Sequence, residues 1–592
     1  MADLLSGFVR THGCGTLRPE NAGAEVGVCG WVQRRRDLGG LIFVTVRDRT
    51  GIIQCLCDGE DAALFEKAST LRSEYVVAVR GVLRERDEGA RNPNMPTGGV
   101  EIVVHELRIL AESETPPFEI SDNTNAGEEV RLRYRYLDLR RPALQRNLMM
   151  RSEIARVTRE YFHDNDFVEI ETPMLMKSTP EGARDYLVPS RIHGGSFYAL
   201  PQSPQIYKQL LMIAGFERYI QLARCFRDED LRADRQPEFT QVDLEMSFVD
   251  VDDILAMLEG YMERLFREVL GVQIAMPIRR MTYAEAMSRY GTDKPDTRYG
   301  MEIQDLSEKV RGCGFGVFTG ALESGGSVRC IVAKNAASVL TRKEIDKLTE
   351  HARGIGAKGL AFVRWVDDEP SSSFAKFFSA DEMHSLCAAA GCEKGDVMLI
   401  CADRDALVFT VLGALRGIVA RKLSIIPEGR YDLVWITEFP FFEKDEETGE
   451  WVAMHHPFTM PLDECLEYLE SDPGRVRAKC YDLVLNGVEL ASGSIRINDY
   501  KLQRRMFEAL GLSDEQIAAK FGFLVDAYRY GGPPHGGAAL GLDRIAMLFC
   551  GAENLRDVVA FPKVQNASEL MSGCPTEVDP AQLKELSIAV IK

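Results

Sequence analysis

Two strand-like segments separated by a densely charged loop lie between residues 219 and 246, and this pattern limits the fold more than any other part of the chain. The first segment, Tyr219–Ala223, is apolar, and the second, Gln241–Met246, alternates polar and apolar residues, which is typical of a strand with one buried face. Arg binds phosphate through two parallel hydrogen bonds, and a carboxylate accepts from an amine. The Arg- and Glu-rich loop therefore suits a nucleotide, and a solvated hairpin tip is the alternative.

Length and composition exclude several classes of protein. The 592 residues exceed what one hydrophobic core holds, so about three or four domains are expected. A hydrophobic fraction of 45% is typical of a globular protein, and no signal peptide or apolar run of about 18 residues indicates export or a membrane span. The 14 cysteines lack metal-binding spacing, which favours reduced thiols and a cytoplasmic location. A net charge of -19 argues against a surface that is coated with nucleic acid.

Residues 1–110 contain short apolar or alternating segments separated by turn residues. The predicted strands are Glu25–Gln33, Leu41–Asp48, Ile52–Asp58, Tyr75–Arg86 and Val100–Ala111, and a helix is predicted over Asp61–Leu71. Five strands with a helix after the third is the order of an OB-fold barrel, whose open face binds single-stranded nucleic acid. Within it, Arg36, Phe43 and Gln54 have the side-chain types that bind unpaired bases, although a core position is the alternative for Phe43.

Three further patterns follow one another along the chain. They are Phe167–Pro173, the Phe-Arg-Asp-Glu string at Phe226–Glu229, and the Gly-Leu-Asp-Arg string at Gly541–Arg544, which opens an apolar helix. In this order they resemble motifs 1, 2 and 3 of the class II aminoacyl-tRNA synthetases, and the signature loops of class I and of phosphate-loop enzymes are absent. The resemblance implies activation of an amino acid with ATP and its transfer to the 3′ end of a tRNA.

The resemblance also implies a multidomain α+β architecture with an N-terminal OB-fold β-barrel, an antiparallel-sheet catalytic core with flanking helices, and an inserted α/β domain. The predicted segments are residues 1–110 (anticodon-binding barrel), 111–141 (hinge), 142–286 (catalytic core with motifs 1 and 2), 287–423 (insert), 424–560 (core with motif 3) and 561–592 (C-terminal extension). In this class the motif 1 helix and strand form a dimer interface, so a homodimer is expected.

Four other segments resemble bacterial members of the aspartyl type within subclass b: Thr179–Tyr186, Leu200–Gln205, Met454–Phe458 and Gly493–Arg496. They imply L-aspartate and tRNA-Asp as substrates. By this resemblance, the residues that contact L-aspartate are Glu181, Ser203, Gln205, Lys208, Arg227, Asp243, His455 and Arg496, with His456 as the alternative to His455. Lys208 and the planar fork of Arg496 suit the β-carboxylate, since a buried ammonium requires a carboxylate partner.

The resemblance assigns ATP to a second set of residues, namely Arg227, Asp228, Glu229, Gln236, Glu489, Gly541, Leu542, Asp543 and Arg544. Arg227, Arg544 and Glu489 are expected to be catalytic. No general base is needed, because the α-carboxylate of the amino acid attacks the α-phosphorus directly. Positioning and charge neutralisation therefore carry the rate.

A hairpin with an Asn486-Gly487 turn is predicted between two apolar runs, since Asn-Gly favours a type I′ turn. With these two residues as the loop, Val484 pairs with Glu489, and Asp482 shares a face with Glu489. Two carboxylates on one face beside phosphates predict a Mg²⁺ site. Because Glu489 and Arg496 are an odd number of residues apart, both face the site only if Ala491–Ser494 contains a bulge or kink.

Several alternatives remain open. A relaxed enzyme would also charge tRNA-Asn with aspartate; by resemblance, Leu38 is the anticodon-facing position that tracks this choice, and Leu favours the form restricted to tRNA-Asp. Asparaginyl- and lysyl-tRNA synthetases share the barrel and core but usually lack the large insert. A catalytically inactive RNA-binding relative is the alternative from another class, and the intact Arg227, Glu229, Glu489 and Arg544 argue against it.

Overall fold

The computed structural model describes residues 2–178, 183–229, 231, 235–445 and 448–591. The chain divides into two compact units, residues 1–149 with 556–576 and residues 150–555 with 577–592. Every helix within the described ranges falls short of the length and apolar character that a lipid bilayer requires.

The N-terminal unit contains a closed five-stranded barrel of strand order β1-β2-β3-β5-β4. Its elements are β1 (Glu25–Asp37), β2 (Leu41–Asp48), β3 (Gly51–Asp58), α1 (Ala62–Ser69), β4 (Val76–Glu85) and β5 (Val100–Ala111), followed by α2 (Glu128–Arg133), α3 (Arg135–Asp138) and α4 (Pro142–Asp164). Alternate residues of β1 and β2, such as Val26, Val28 and Val44, fill the barrel core. The strand order, with a helix after the third strand, confirms the predicted OB barrel.

The elements from β6 to α7 form the first part of the larger unit. They are β6 (Val168–Glu169), β7 (Leu187–Pro189), β8 (Phe197–Ala199), α5 (Gln205–Ile213), β9 (Arg218–Phe226), β10 (Glu238–Ser247), α6 (Val251–Leu265), β11 (Arg279–Thr282) and α7 (Tyr283–Tyr290). The charged loop joins β9 to β10, as predicted, and the two strands pair antiparallel with Glu238 opposite Phe226.

The region that follows forms a separate sheet of five strands, with the order β12-β13-β16-β14-β15. Its elements are β12 (Gln304–Asp305), α8 (Ser307–Val310), α9 (Gly316–Glu323), β13 (Ser327–Ala333), α10 (Arg342–Ile355), β14 (Ala361–Arg364), β15 (Ser371–Ser372), α11 (Ala380–Ala389), β16 (Val397–Asp403) and α12 (Asp405–Lys422). Ile331 and Leu399 face one hydrophobic cluster while Cys330 and Ile400 face another. Helices cover both faces, which explains the nearly continuous apolar runs of β13 and β16.

The remaining elements are β17 (Leu433–Thr437), β18 (Phe442–Lys444), β19 (Trp451–Ala453), β20 (Cys480–Leu485), β21 (Val488–Ile495), α13 (Tyr500–Ala509), α14 (Asp514–Tyr528), β22 (His535–Gly541), α15 (Leu542–Phe549) and α16 (Pro580–Glu585). Strands from before and after the five-stranded region join in one eight-stranded sheet, with the order β11-β17-β20-β21-β22-β10-β9-β6. Its central pairs are antiparallel, and only the edge pairs β11–β17 and β6–β9 are parallel. The charged strand β10 therefore lies beside β22, which leads into the motif 3 helix α15.

The tip of the predicted hairpin matches the structure, but the position of the predicted kink is wrong. Asn486 and Gly487 have φ angles of 54° and 84°, as a type I′ turn requires, and Val484 pairs with Glu489. Residues 491–494 pair regularly, and the register shifts earlier, at Leu490, opposite the step from Val484 to Leu483. Because this bulge changes the alternation, Glu489 lies on the same face as Ser492 and Ser494.

We expect Gly487→Ala to lower the unfolding temperature, because Ala at a positive φ costs about 1 kcal/mol. The added Cβ would also lie 3.2 Å from the Cβ of Asp296. Gly320→Ala in α9 is the matched control: it lies in a helix with no atom within 4 Å of the added Cβ and should stabilise the chain. Thermal unfolding followed by circular dichroism measures both variants. Equal shifts in unfolding temperature for Gly487→Ala and Gly320→Ala would contradict the type I′ turn.

Candidate functional site

A cavity of about 690 Å³ opens along one face of the eight-stranded sheet. Arg227 at the end of β9, Arg496 just after β21 and Arg544 in α15 all line it. The structure therefore brings three guanidinium groups from distant parts of the sequence around one space.

Most of the predicted substrate and nucleotide residues line this cavity. They are Ser203, Gln205, Lys208, Arg227, Glu229, Gln236, Asp243, His455, Glu489, Arg496, Gly541, Asp543 and Arg544. Among the described residues, Asp228, Leu542 and Asp482 are predicted site residues that do not line it. Asp228 instead pairs with Arg184, with Nε and Oδ2 3.4 Å apart, and Leu542 is buried. Glu181 lies outside the described residues.

Four charged side chains cluster at the floor of the cavity. Lys208 from α5, Asp243 from β10 and Arg496 line it, and Glu245 from β10 pairs with Lys208 and Arg496 without lining it. The Lys208 Nζ lies 2.9 Å from Oδ1 of Asp243 and 3.4 Å from Oε2 of Glu245. The guanidinium of Arg496 donates to both oxygens of Glu245, at 2.9 and 3.2 Å. None is more than 2% exposed, so every charge of this cluster is balanced inside the protein rather than by water.

Burial and neighbouring charges act in opposite directions on the pKa values of the two carboxylates of this cluster. Burial raises the pKa of Asp243, and the Lys208 ammonium only partly offsets that effect. Burial also acts to raise the pKa of Glu245, but the neighbouring Arg496 and Lys208 outweigh it and hold this pKa below its ordinary value. Glu245 is thus the fixed anion between the two cations.

The adjacent histidines face different parts of the cavity. His456 Nε2 accepts from Arg496 at 2.7 Å. Burial, followed by the charge of Arg496, lowers the pKa of His456 well below its ordinary value, which keeps the imidazole neutral. His455 packs edge-on against Phe439, and burial lowers its pKa while nearby Glu489 opposes that effect. Which of the two contacts a substrate stays a prediction.

The opposite end of the cavity carries acidic groups between cations. Glu489 Oε2 lies 2.8 Å from the Nζ of Lys294, and Glu489 Oε1 lies 3.8 Å from Arg544. Asp482 is buried and does not line the cavity. Burial, followed by the charge of the neighbouring Glu489, raises the pKa of Asp482 well above its ordinary value. Its Oδ1 accepts no hydrogen bond from the described part of the chain. A buried oxygen without a donor beside a second carboxylate fits a hard divalent cation.

The motif 2 segment supplies an Arg that no carboxylate neutralises within the described ranges. The Arg227 guanidinium carbon lies 5.2 Å from the ring centre of Phe239, and the Nε is buried without a hydrogen-bond acceptor. Glu229 pairs with Arg235 at 3.0 Å. Arg227 therefore presents net positive charge to the cavity.

Asp543 connects the motif 3 helix to the sheet. Its carboxylate pairs with Arg151 and accepts from the backbone N–H of Thr240 at 3.0 Å. These contacts tie the first turn of α15 to α4 and β10 and so fix the position from which Arg544 reaches the cavity.

Of the four predicted anticodon residues, Arg36, Phe43 and Gln54 lie in strands β1, β2 and β3, where Gln54 is buried, and Leu38 lies in the first turn of the barrel. Arg36 pairs with Phe43 across β1 and β2, and Arg36 Nη2 lies 3.4 Å from Oε1 of Gln54. Gln54 also donates to Glu101 at 2.8 Å, and Leu38 is 66% exposed in the turn. Because cross-strand partners share a face, Arg36 and Phe43 lie on one side of the sheet.

Comparison with known proteins agrees with this geometry. A family model described as tRNA synthetases class II (D, K and N) matches residues 127–565, and one described as an OB-fold nucleic acid binding domain matches residues 26–110. An aspartate–tRNA(Asp/Asn) ligase from Lachnoclostridium phytofermentans is 56% identical over 100% of this chain and 99% of its own length. An aspartate–tRNA ligase from Ruminiclostridium cellulolyticum is 55% identical over 100% of both chains.

The chain is a class II aminoacyl-tRNA synthetase of the aspartate–tRNA ligase family.

Solved structures of class II synthetases share the fold. An asparaginyl-tRNA synthetase from Pyrococcus horikoshii, complexed with asparaginyl-adenylate, has a TM-score of 0.58 and 20% identity and covers 94% of this chain and 98% of its own. An aspartyl-tRNA synthetase from Entamoeba histolytica has a TM-score of 0.58 and 19% identity and covers 94% and 92%. The predicted fold class, an OB barrel with an α+β synthetase core, is therefore confirmed.

Sequence patterns did not identify two residues that line or support this synthetase cavity. Glu245 shares the predicted polar face of β10, but only the structure shows that it pairs with Arg496. The signal in the sequence was the alternation of polar and apolar residues along β10, which places Glu245 on the same face as Asp243. Lys294 lies in the irregular segment after α7, and no local pattern connects it with Glu489, which follows almost two hundred residues later.

We expect Lys208→Met to destabilise the enzyme by about 3–5 kcal/mol, because it leaves one more buried carboxylate than buried cations. The double variant Lys208→Met/Asp243→Asn removes both members of the 2.9 Å pair and should recover part of that loss. Urea unfolding of the wild type, both single variants and the double variant measures the coupling energy. Additive losses would show that the two side chains do not stabilise one another.

Proposed function

We propose that this chain activates L-aspartate with ATP to aspartyl-adenylate and then transfers aspartate to the 3′ end of tRNA-Asp. The observation that carries the proposal is the convergence of Arg227, Arg496 and Arg544 on one cavity with a buried Lys208. Two relatives of matching length, at 55% and 54% identity, bear the name aspartate–tRNA ligase, and one at 56% identity bears the name aspartate–tRNA(Asp/Asn) ligase.

The amino acid occupies the charged floor in this proposal. Arg496 holds the β-carboxylate together with Lys208, and Asp243 faces the α-ammonium. The side-chain amide of Gln205 supports a polar ligand here, because its Nε2 is buried with no acceptor in the described part of the chain. Asparagine would replace a carboxylate with a neutral amide, so Arg496 and Lys208 would lose the charge-assisted hydrogen bonds that the ligand carboxylate accepts in addition to those of Glu245 and Asp243. Such unmade charged interactions cost about 1–3 kcal/mol each, and a site of this kind needs no proofreading.

ATP occupies the end that contains Arg227, Glu489 and Arg544. Asp482 and Glu489 are the residues that would hold Mg²⁺, which supplies charge neutralisation for the phosphates. Arg227 orients the α-phosphate beside the α-carboxylate of aspartate, and Arg544 holds the far end of the triphosphate. Glu229 and Gln236 position the adenine. Because the nucleophile is already an anion, the side chains orient the reactants and stabilise charge rather than remove a proton.

The barrel binds the tRNA anticodon through Arg36, Leu38, Phe43 and Gln54. Similar proteins carry both names, aspartate–tRNA ligase and aspartate–tRNA(Asp/Asn) ligase. Leu38 favours the form restricted to tRNA-Asp, and the form that also charges tRNA-Asn is the alternative. Charging of purified tRNA-Asp and tRNA-Asn transcripts distinguishes them.

The enzyme acts in the cytoplasm as a homodimer in this proposal. Apolar side chains at Val168 and Leu175, beside the motif 1 strand β6, are 45% and 52% exposed, which suits burial in a second copy. We expect the mass of a dimer in sedimentation equilibrium at micromolar concentration. The mass of a monomer would contradict this proposal.

We expect amino-acid-dependent exchange of pyrophosphate into ATP with L-aspartate and none with asparagine or lysine. Arg227→Ala should reduce this exchange by about 10²-fold or more, because it removes a charge that acts on the reacting phosphate. Its affinity for tRNA-Asp, measured by filter binding, should stay within about twofold of the wild type. Exchange with asparagine alone would reject the aspartate assignment, and normal exchange in Arg227→Ala would reject the role of that residue.

We expect Phe43→Ala to weaken charging of tRNA-Asp while aspartate-dependent pyrophosphate exchange stays unchanged. Loss of one base–aromatic stack is worth about 1–3 kcal/mol, which corresponds to about 5- to 150-fold in the KM for tRNA. Phe8→Ala is a control in the same barrel unit, since that ring packs against Arg80 and Arg108 instead. If both reactions fell together in Phe43→Ala, the barrel would not have the proposed role.

A further inference from the structure

Lys294 reaches the cavity from the segment that leads from α7 into the five-stranded region. This segment, between α7 and β12, has no regular secondary structure around Lys294. The Lys294 Nζ is 2.8 Å from Oε2 of Glu489, and the residue lines the same cavity as His455 and Arg544. Among the described residues, none of the five-stranded region itself lines this space.

The backbone around Lys294 is held in place from two sides. Asp296 forms a two-point ion pair with Arg298 at 3.0 and 2.7 Å. Asp296 also packs against the Asn486-Gly487 turn that precedes Glu489, since a Cβ at Gly487 would lie 3.2 Å from it. The buried Arg416 of α12 donates to the carbonyl of Met301 at 2.8 Å. This segment is therefore fixed both to the hairpin that carries Glu489 and to the core of the five-stranded region.

The Lys294 side chain itself is placed to change partners. It is 42% exposed, and an ion pair of that exposure contributes only about 0–1 kcal/mol. Glu489, the partner, lies between the two cations Lys294 and Arg544.

We propose that Lys294 is a binding residue for the β- and γ-phosphates of ATP, and this inference rests on the proposed function of the same cavity. When the nucleotide enters, the ammonium exchanges Glu489 for phosphate oxygens, and Glu489 is then the carboxylate that would hold a divalent cation. A phosphate offers more negative charge than one carboxylate, so the exchange costs little and gains a charge-assisted hydrogen bond. The segment that leads into the five-stranded region then contributes directly to the active site.

The test compares ATP with AMP, which lacks the two phosphates concerned. Equilibrium dialysis with Mg²⁺ and without L-aspartate measures binding alone. We expect Lys294→Gln to raise the Kd for ATP by about tenfold, the effect of one hydrogen bond to a charged group, and to leave the Kd for AMP unchanged. Lys294→Arg keeps the charge and should stay within about threefold of the wild type for ATP. Lys334→Gln is the matched control, because Lys334 pairs with Asp396 at 2.9 Å away from the cavity.

Each other outcome overturns the inference. Unchanged or tighter ATP binding in Lys294→Gln would show that the ammonium serves only to neutralise Glu489. Equal weakening for ATP and AMP would show a general disturbance of the cavity, and an equal loss in Lys334→Gln would show an effect on the whole region. Failure of the wild type to exchange pyrophosphate in response to aspartate, with ATP binding intact, would instead reject the proposed function.

Discussion

Lys208 and Arg496 meet Asp243 and Glu245 at the floor of the cavity, where water does not reach any of the four. Removing an ion from water to a protein interior costs several kcal/mol, and a close opposite charge with good hydrogen-bond geometry has to offset that cost. The side chains come from α5, β10 and the end of β21. A change in the register of either strand would leave a buried charge without a partner, so this cluster fixes the sheet and the site at the same time.

The pairing also determines what the cavity offers a substrate. The two cations and two carboxylates of the floor cancel, and the described ranges contain no carboxylate paired with Arg227. The unbalanced positive charge therefore lies at Arg227, which in the proposed function separates the amino-acid end of the cavity from the nucleotide end. L-aspartate carries one net negative charge, and its α-carboxylate has to approach an anionic phosphate. A fixed guanidinium between them lowers that repulsion without any reorganisation of the protein at the moment of reaction.

The sequence patterns predicted elements more accurately than they predicted contacts. Alternation identified β10 and its polar face, and Asn486-Gly487 identified the turn, because both signals are local. The position of the bulge was missed, since it depends on how β21 fits between β20 and β22 rather than on Gly493 alone. Glu245 and Lys294 were missed because their partners are distant in sequence, and no local pattern carries a long-range pairing. Asp228 was predicted from its neighbours in the motif, yet its side chain faces Arg184.

The two ends of the cavity differ in how firmly their ion pairs are held. At the floor, Lys208 and its carboxylate partners are at most 1% exposed, and breaking such a pair leaves a buried charge that costs about 3–5 kcal/mol. At the nucleotide end, Lys294 with Glu489 and Arg235 with Glu229 are a quarter to a half exposed, and pairs of this kind contribute about 0–1 kcal/mol.

An incoming triphosphate can therefore displace the exposed pairs at small cost, whereas the floor keeps its arrangement whatever binds. In the proposed function, the amino acid meets this rigid, preformed set of charges, which favours discrimination by charge. In the proposed function, ATP meets side chains that can change partners, so Glu489 pairs with Lys294 before the nucleotide enters and would hold a cation afterwards.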